Sequence, residues 1–286
     1  MKKTAMIREI DIAKVSETVA GLCVRANVFL NADIENALRQ GVATEEKPLA
    51  KNVLEILLEN ADAARTDSLP ICQDTGMTVV FVELGQDVHL VGGLLESAIN
   101  TGVAEGYTRG YLRKSVVRDP IDRVNTGNNT PAVVHLRLVP GDQLKITVAP
   151  KGFGSENMSR LVMLKPSDGI EGVKRIVLET VQLAGPNPCP PMIVGVGVGG
   201  TMEKAALIAK EALLRSVGEH NVAPFWAELE AELLTAVNAL NIGPAGFGGH
   251  TTALAVNVNF YPTHIAGLPV AVNIGCHVTR HADAII

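Results

Sequence analysis

Three cysteines stand out by the residues around them. Cys72 lies in Pro70-Ile71-Cys72-Gln73-Asp74-Thr75-Gly76, where a thiol, an amide and a carboxylate follow one another between a proline and a glycine. Cys189 is enclosed by prolines in Gly185-Pro-Asn-Pro-Cys-Pro-Pro191, and Cys276 stands between Gly275 and His277. Each falls in a loop punctuated by glycine or proline, the kind of position from which a rigid scaffold aims polar groups. They are too dispersed in the chain for a local zinc ribbon or a ferredoxin-type run, so only the fold could assemble them. Three thiolates suit an iron–sulfur cluster in which one iron keeps no protein ligand. That iron could bind substrate oxygens and act as a Lewis acid. Three structural cysteines would show the same spacing. The fourth, Cys23, sits beside Leu22 on an apolar stripe and reads as a small buried hydrophobe.

The elements that must position these loops follow from composition and pattern. With 286 residues, 47% of them hydrophobic, the chain can bury a large core. A formal net charge of -5 argues against a general nucleic-acid or membrane-surface role, though an anionic substrate remains compatible with local positive charge. Aromatic residues make up only 3%, against 27 glycines and 15 prolines, so tight turns outweigh stacking platforms. Arg8, Glu9, Asp11 and Lys14 interrupt any signal-peptide-like apolar run, and no segment is long and apolar enough to span a bilayer. Widely spaced cysteines fit no compact disulfide framework, and the chain reads as cytoplasmic.

Helical spacing predicts a helix over Ile7–Asn27, a second over Ala32–Gln40 between Asn31 and Gly41, and a third opened by Pro48. A strand over Met77–Glu83 and a helix over Val91–Thr108 follow the Cys72 loop. Strands are predicted at Ala132–Val139, Gln143–Ala149, Ala253–Phe260 and Pro269–Ile274, with helices at Gly169–Ala184, Glu203–Arg215 and Ala223–Leu240. The expected fold is one α/β domain over 1–286: a helical part to about residue 68, then a mixed, partly antiparallel sheet with packed helices. Turn signals at Pro140-Gly-Asp142 and Tyr261–Pro269 suggest antiparallel hairpins rather than a doubly wound parallel sheet.

Other stretches carry two readings each. Arg109, Arg113 and Lys114 form either a solvated basic surface or a guanidinium grip for a carboxylate. Lys151-Gly-Phe-Gly-Ser-Glu-Asn157 is either a plain turn or a place where backbone N–H groups approach an anion. Gly195, Gly197 and Gly200 spell G-x-G-x-x-G, which could mark the NAD site of an oxidoreductase. Such a site needs a second parallel strand ending in an acid about 20 residues on. Glu219 has the distance but lies between helices, which favours a glycine turn at a helix N-terminus. His277 and His281, beside Cys276, are candidate ligands or ordinary exposed or hydrogen-bonded histidines.

Taken in order, Pro-Ile-Cys72-Gln-Asp-Thr-Gly, Asn128-Asn-Thr-Pro, Gly152-Phe-Gly-Ser-Glu-Asn, Pro188-Cys189-Pro-Pro, Gly195-Val-Gly-Val-Gly-Gly and Asn273-Ile-Gly-Cys276-His resemble the class I iron–sulfur fumarase and tartrate dehydratase family of hydro-lyases, specifically its alpha subunit or N-terminal domain. The resemblance runs from about Leu69 onward. It implies a 4Fe-4S cluster held by Cys72, Cys189 and Cys276, and reversible hydration of fumarate to (S)-malate. It further implies that Asp74 assists the catalytic base, that His264 stands near the substrate hydroxyl, and that Gln73, Arg113 and the Gly154 N–H bind the dicarboxylate. Single-chain members continue into a second domain with further catalytic residues. The expected partner is therefore a separate beta subunit in a symmetric heteromer, without which this chain is inactive. Gly248-Gly-His-Thr-Thr-Ala and Asn257–His264 place fumarate first among substrates, tartrate second and mesaconate third.

Overall fold

Asp11 accepts the Ala13 N–H at 2.8 Å and so caps α1 (Ile12–Val28), whose Val15, Val19, Leu22, Cys23 and Ala26 are buried. The predicted first helix is thus real but starts later, because Arg8–Asp11 form a short strand, β1, paired in parallel with β3 (Val88–Val91). The computed structural model describes residues 7–286 in two compact units. The first holds residues 7–30, 61–152 and Arg280–Ile286; the second holds Asn31–Asn60 and Phe153–Thr279. Both are α/β with mixed sheets. Among the described residues no helix is long and apolar enough to cross a membrane.

In the first unit, β2 (Met77–Gly85), β4 (Val133–Val139), β5 (Leu144–Lys151) and β10 (Ala282–Ile285) form a sheet in the order β10-β5-β2-β4. Its core joins Val80 and Val82 of β2 and Leu144, Ile146 and Val148 of β5 to α1 and to α4 (Leu95–Arg109). Gly102 and Gly106 of α4 let the two helices touch: a Cβ would come within 2.4 Å of Ser16 O at Gly102 and 2.7 Å of Ala20 O at Gly106.

In the second unit the order is β6-β9-β7-β8, with β6 (Arg160–Leu164), β7 (Met192–Gly199), β8 (Ala253–Tyr261) and β9 (Leu268–Gly275). Strand alternation divides β7 cleanly. Val194, Val196 and Val198 join the core of α6 (Gly169–Ala184) and α8 (Pro224–Asn238), whereas Gly195 and Gly197 face α7 (Met202–Ala212).

Neither expected hairpin forms. β2 lies between β4 and β5, pairing in parallel with the first and antiparallel with the second. β7 lies between β8 and β9 in the same way. The turn residues at 140–142 and 261–268 reverse the chain, but in each sheet an earlier strand inserts between the two that they connect. The parallel partner of β7 exists after all; it is β8, delayed by two crossover helices. Gly41 also differs from expectation. The second helix, α2 (Ala32–Thr44), runs through it, and the glycine serves close packing instead, since a Cβ there would stand 3.1 Å from Leu54 Cδ1. Pro48 opens α3 (Pro48–Asp67) as predicted, and the division between units falls inside that helix.

Glu45, just beyond α2, seals the glycine-rich loop before β8. Its Oε2 accepts Thr251 N–H and Oγ1–H, both at 3.0 Å, and Oε1 accepts Lys47 N–H. Burial raises the carboxyl pKa, but these hydrogen bonds outweigh it and hold the group below its ordinary 4.5. A lowered native pKa contributes stability that is complete above the unfolded value and is lost as pH falls through the native one. Melting temperatures from about pH 6 to about pH 3 are expected to fall less steeply in Glu45→Gln than in the wild type.

Candidate active site

The Cys72 loop is held almost entirely through its backbone. Ile71 N–H donates to Asn27 O at 2.9 Å, and Thr75 Oγ1–H donates to Arg113 O at 3.1 Å. The buried Tyr107 hydroxyl reaches Thr75 O at 2.6 Å and Gly76 O at 3.1 Å. Asn129, fully buried at φ 62°, donates from Nδ2 to Gly76 O at 3.1 Å. Its Oδ1 accepts the Ser115 and Val116 N–H groups at 2.7 and 3.2 Å. The Arg280 guanidinium donates to Asp74 O. Gly76 is required at φ 76°, where a Cβ would lie 2.7 Å from Lys151 N.

Fixing the carbonyls inward leaves the side chains to point out. Cys72 and Asp74 are half-buried, and Gln73 and Arg113 are exposed. Asp74 N–H donates to Cys72 Sγ at 3.4 Å, and Asp74 Oδ1 accepts Gly76 N–H at 3.0 Å. Hydrogen bonds to sulfur are one of the means by which proteins tune cluster thiolates. Asp74 Oδ2 lies so near Gly152 that a Cβ there would approach within 3.1 Å. The first unit therefore gathers Cys72, Gln73, Asp74 and the backbone of Arg113. Arg109 instead pairs with Glu105 at 2.8 Å on the exposed side of α4, the solvated reading.

One end of the second unit gathers three further residues. Cys189 is exposed, with φ 55° and a cis Pro190–Pro191 bond after it. A non-glycine residue in this region is disfavoured, and its persistence means the surroundings over-determine it. Cys189 N–H donates to Pro186 O at 3.1 Å, and Ala245 N–H donates to Pro190 O at 2.8 Å. Cys189 O receives His277 N–H at 3.3 Å and lies 2.9 Å from His277 Nδ1, so the loops of Cys189 and Cys276 meet. Gly275 permits Thr279 to fold back on Cys276 O, since a Cβ would stand 2.1 Å from Thr279 Oγ1.

Gly154 lies in the short helix α5 (Phe153–Glu156), where a Cβ would be 3.7 Å from Asn187 O. Asn273 of β9 donates to Glu156 Oε2 at 2.9 Å and to Ser159 Oγ at 3.0 Å, while Lys210 pairs with Glu156 at 2.6 Å. That network moors α5 beside the end of β9 from which Cys276 emerges.

His264 is not part of this gathering. It is exposed in the loop before β9, its Nδ1 accepting Ala266 N–H at 3.2 Å, and its neighbour Thr263 donates to Gly200 O at 2.8 Å. Strand β9 places it at the opposite end of the sheet from Cys276, roughly 25 Å away at about 3.3 Å per residue.

The donor set suits a thiolate-bound cluster. All three loop cysteines are at least partly exposed, whereas Cys23 is buried and its thiol is pushed up to about 12 by burial. Among the described residues, no three His, Cys, Asp or Glu side chains cluster closely enough to hold a metal ion. Two of the cysteine loops meet within the second unit, and the third belongs to the first. Tyr107, Asn129 and Arg280 had no assigned role in the sequence reading. Asn129 lies in the Asn128-Asn-Thr-Pro131 motif and was legible as one of several motif residues, but nothing marked Tyr107 or Arg280.

Comparison with known proteins gives consistent results. The family model described as Fumarate hydratase (Fumerase) matches residues 16–285. A Methanocaldococcus jannaschii protein named "Putative L(+)-tartrate dehydratase subunit alpha" is 41% identical over 276 residues, covering 94% of this chain and 96% of its own. The L(+)-tartrate dehydratase subunit alpha of Escherichia coli strain UTI89 is 33% identical, covering 95% and 92%. That of Shigella sonnei is 32% identical, covering 96% and 91%.

Proposed function

Because this chain belongs to the fumarate hydratase (Fumerase) family of hydro-lyases, we propose that it is the alpha subunit of a two-subunit 4Fe-4S enzyme that interconverts fumarate and (S)-malate. Cys72, Cys189 and Cys276 hold the cluster. The observation that carries the reading is the matching of motif to placement. The loops of Cys189 and Cys276 meet, and that of Cys72 is anchored by Tyr107, Asn129 and Arg280, which supports assigning these three cysteines to the cluster. When bound, the cluster supplies a Lewis-acidic iron with an open position.

The chain's own residues do the rest. Arg113, exposed beside the anchored loop, grips a substrate carboxylate, and the exposed Gln73 amide hydrogen-bonds it. The Gly154 N–H adds a further donor, since the first amides of a helix lack partners within it. Asp74, its Oδ1 oriented by Gly76 N–H, assists removal of the proton next to a carboxylate. These cationic and N–H groups stabilise the charge that develops there.

A beta subunit supplies the remaining catalytic groups, in a symmetric, cytoplasmic heteromer in which both units of this chain work as one alpha module. The anaerobically reconstituted chain alone is expected to show no hydratase activity above background. Co-purified with its beta subunit it should hydrate fumarate. Turnover by the chain alone would sink the two-subunit reading. The named relatives are L(+)-tartrate dehydratase alpha subunits, so L(+)-tartrate is assayed beside fumarate, with mesaconate third; faster turnover of either would reassign the substrate without changing the reaction class.

Strand β9 constrains the role of His264. Since it stands far from Cys276 in its own chain, its part in proton transfer is exercised at the centre of a second copy. Co-expressing His264→Asn chains with Cys276→Ser chains should then restore part of the activity that neither variant has alone. Failure of mixed oligomers to recover any activity would remove His264 from the catalytic set.

A further inference from the structure

Arg280 is only 4% exposed, yet it forms no ion pair among the described residues. Its guanidinium donates to Asp74 O, and its Nε has no hydrogen-bond partner. A buried cation ordinarily finds a carboxylate or shifts its protonation, and a guanidinium does not deprotonate in proteins. The charge is felt locally: burial pushes the Tyr107 phenol up, and the positive charge of Arg280 works against that rise. Tyr107 and Arg280 hold consecutive carbonyls of one loop, those of Thr75 and Asp74. The protein thus keeps an uncompensated positive charge beneath the segment that carries Cys72.

An anion is what this arrangement lacks. Three thiolates outweigh the charge of an iron–sulfur core, so a cluster so ligated is anionic when bound. We infer that Arg280 is the counter-charge of that cluster, a positioning residue that acts through the Asp74 carbonyl on the loop carrying Cys72. It rests on the assignment of Cys72 as a cluster ligand under the proposed function. Its charge is costly in the empty chain and repaid when the cluster is loaded. Tyr107 and Asn129 fix the loop by neutral side-chain hydrogen bonds, and Arg113 holds it through its backbone carbonyl while its own side chain is exposed.

The test separates charge from shape. Arg280→Gln keeps a neutral donor for Asp74 O, and Arg280→Lys keeps the charge. Full-length chains are reconstituted anaerobically, and iron per chain and the rate of iron loss to a chelator are measured beside the melting temperature of the empty chain. The expected result is loss of iron roughly ten- to hundredfold faster in Arg280→Gln, the range found when an outer-shell partner of a metal ligand is removed. Arg280→Lys should stay close to the wild type, and the empty Arg280→Gln chain should melt no lower than the wild type. Retention by Arg280→Gln at the wild-type rate overturns the inference, as does equally fast loss from a folded Arg280→Lys chain. Should Arg280→Gln not fold, the Arg280→Lys rate alone decides. A wild-type chain that takes up no iron and sulfide brings down the cluster assignment itself, and Arg280 with it. That result is distinct from one in which the wild type loads and only the counter-charge fails.

Discussion

Replacing Cys72, Cys189 or Cys276 with serine, one at a time, is expected to leave each reconstituted chain without the brown cluster chromophore, while Cys23→Ala retains it. Serine preserves size and polarity but not the thiolate, which is the ligand for iron. The contrast with Cys23 is the informative part. That thiol is fully buried in the first unit's core against α4, and burial holds it protonated near 12. Its removal costs packing alone. Iron and sulfide analysis together with absorbance would check the set. A loop cysteine whose serine variant loads normally is not a ligand, and a Cys23→Ala chain that fails to load while folded would put the assignment in the wrong place.

The second large effect is expected in the glycines of β7. A Cβ at Gly197 would lie 2.1 Å from Ala205 O, and one at Gly195 would lie 2.2 Å from Ala209 O, both backbone atoms of a packed helix. Neither can give way without moving α7 as a whole. Gly197→Ala should therefore destabilise by roughly 3 kcal/mol or more, the upper end of overpacking. Chemical denaturation of wild type and variant would measure it, and a change below about 1 kcal/mol would mean that α7 is not seated as described. The same geometry bears on the dinucleotide reading. These glycines are covered by α7 in mid-strand, and only Gly199 and Gly200, at φ 92° and 71°, form the turn before it.

Helices and strands were legible from periodicity, and α6 matches its expected span residue for residue. What was not legible is which strand lies in the middle. A turn signal reports that the chain reverses but not which strand pairs with which: β7, buried along its whole length, inserts between β8 and β9, and β9 is interior as well, against β6. The cysteine loops were readable because prolines and glycines leave a trace in sequence. Two anchors of the Cys72 loop were not, because Tyr107 and Arg280 act on carbonyl groups that every residue possesses. The separation of His264 from Cys276 could not be seen either. Twelve positions of sequence look short until a strand stretches most of them into a line.

The discontinuity of the first unit has a consequence for biosynthesis. Strand β10 pairs with β5, and Ile286 exchanges backbone hydrogen bonds with Leu144, at 2.8 Å from Ile286 N–H and 3.3 Å in return. Those partners are separated in the chain by nearly all of the second unit. A ribosome therefore delivers the whole second unit before the first can complete its sheet, so that the unit begun earlier finishes later. Arg280 follows the second unit in the chain too. Until it is made the Cys72 loop lacks one of its anchors, so this half-site cannot mature before the second unit has been synthesised.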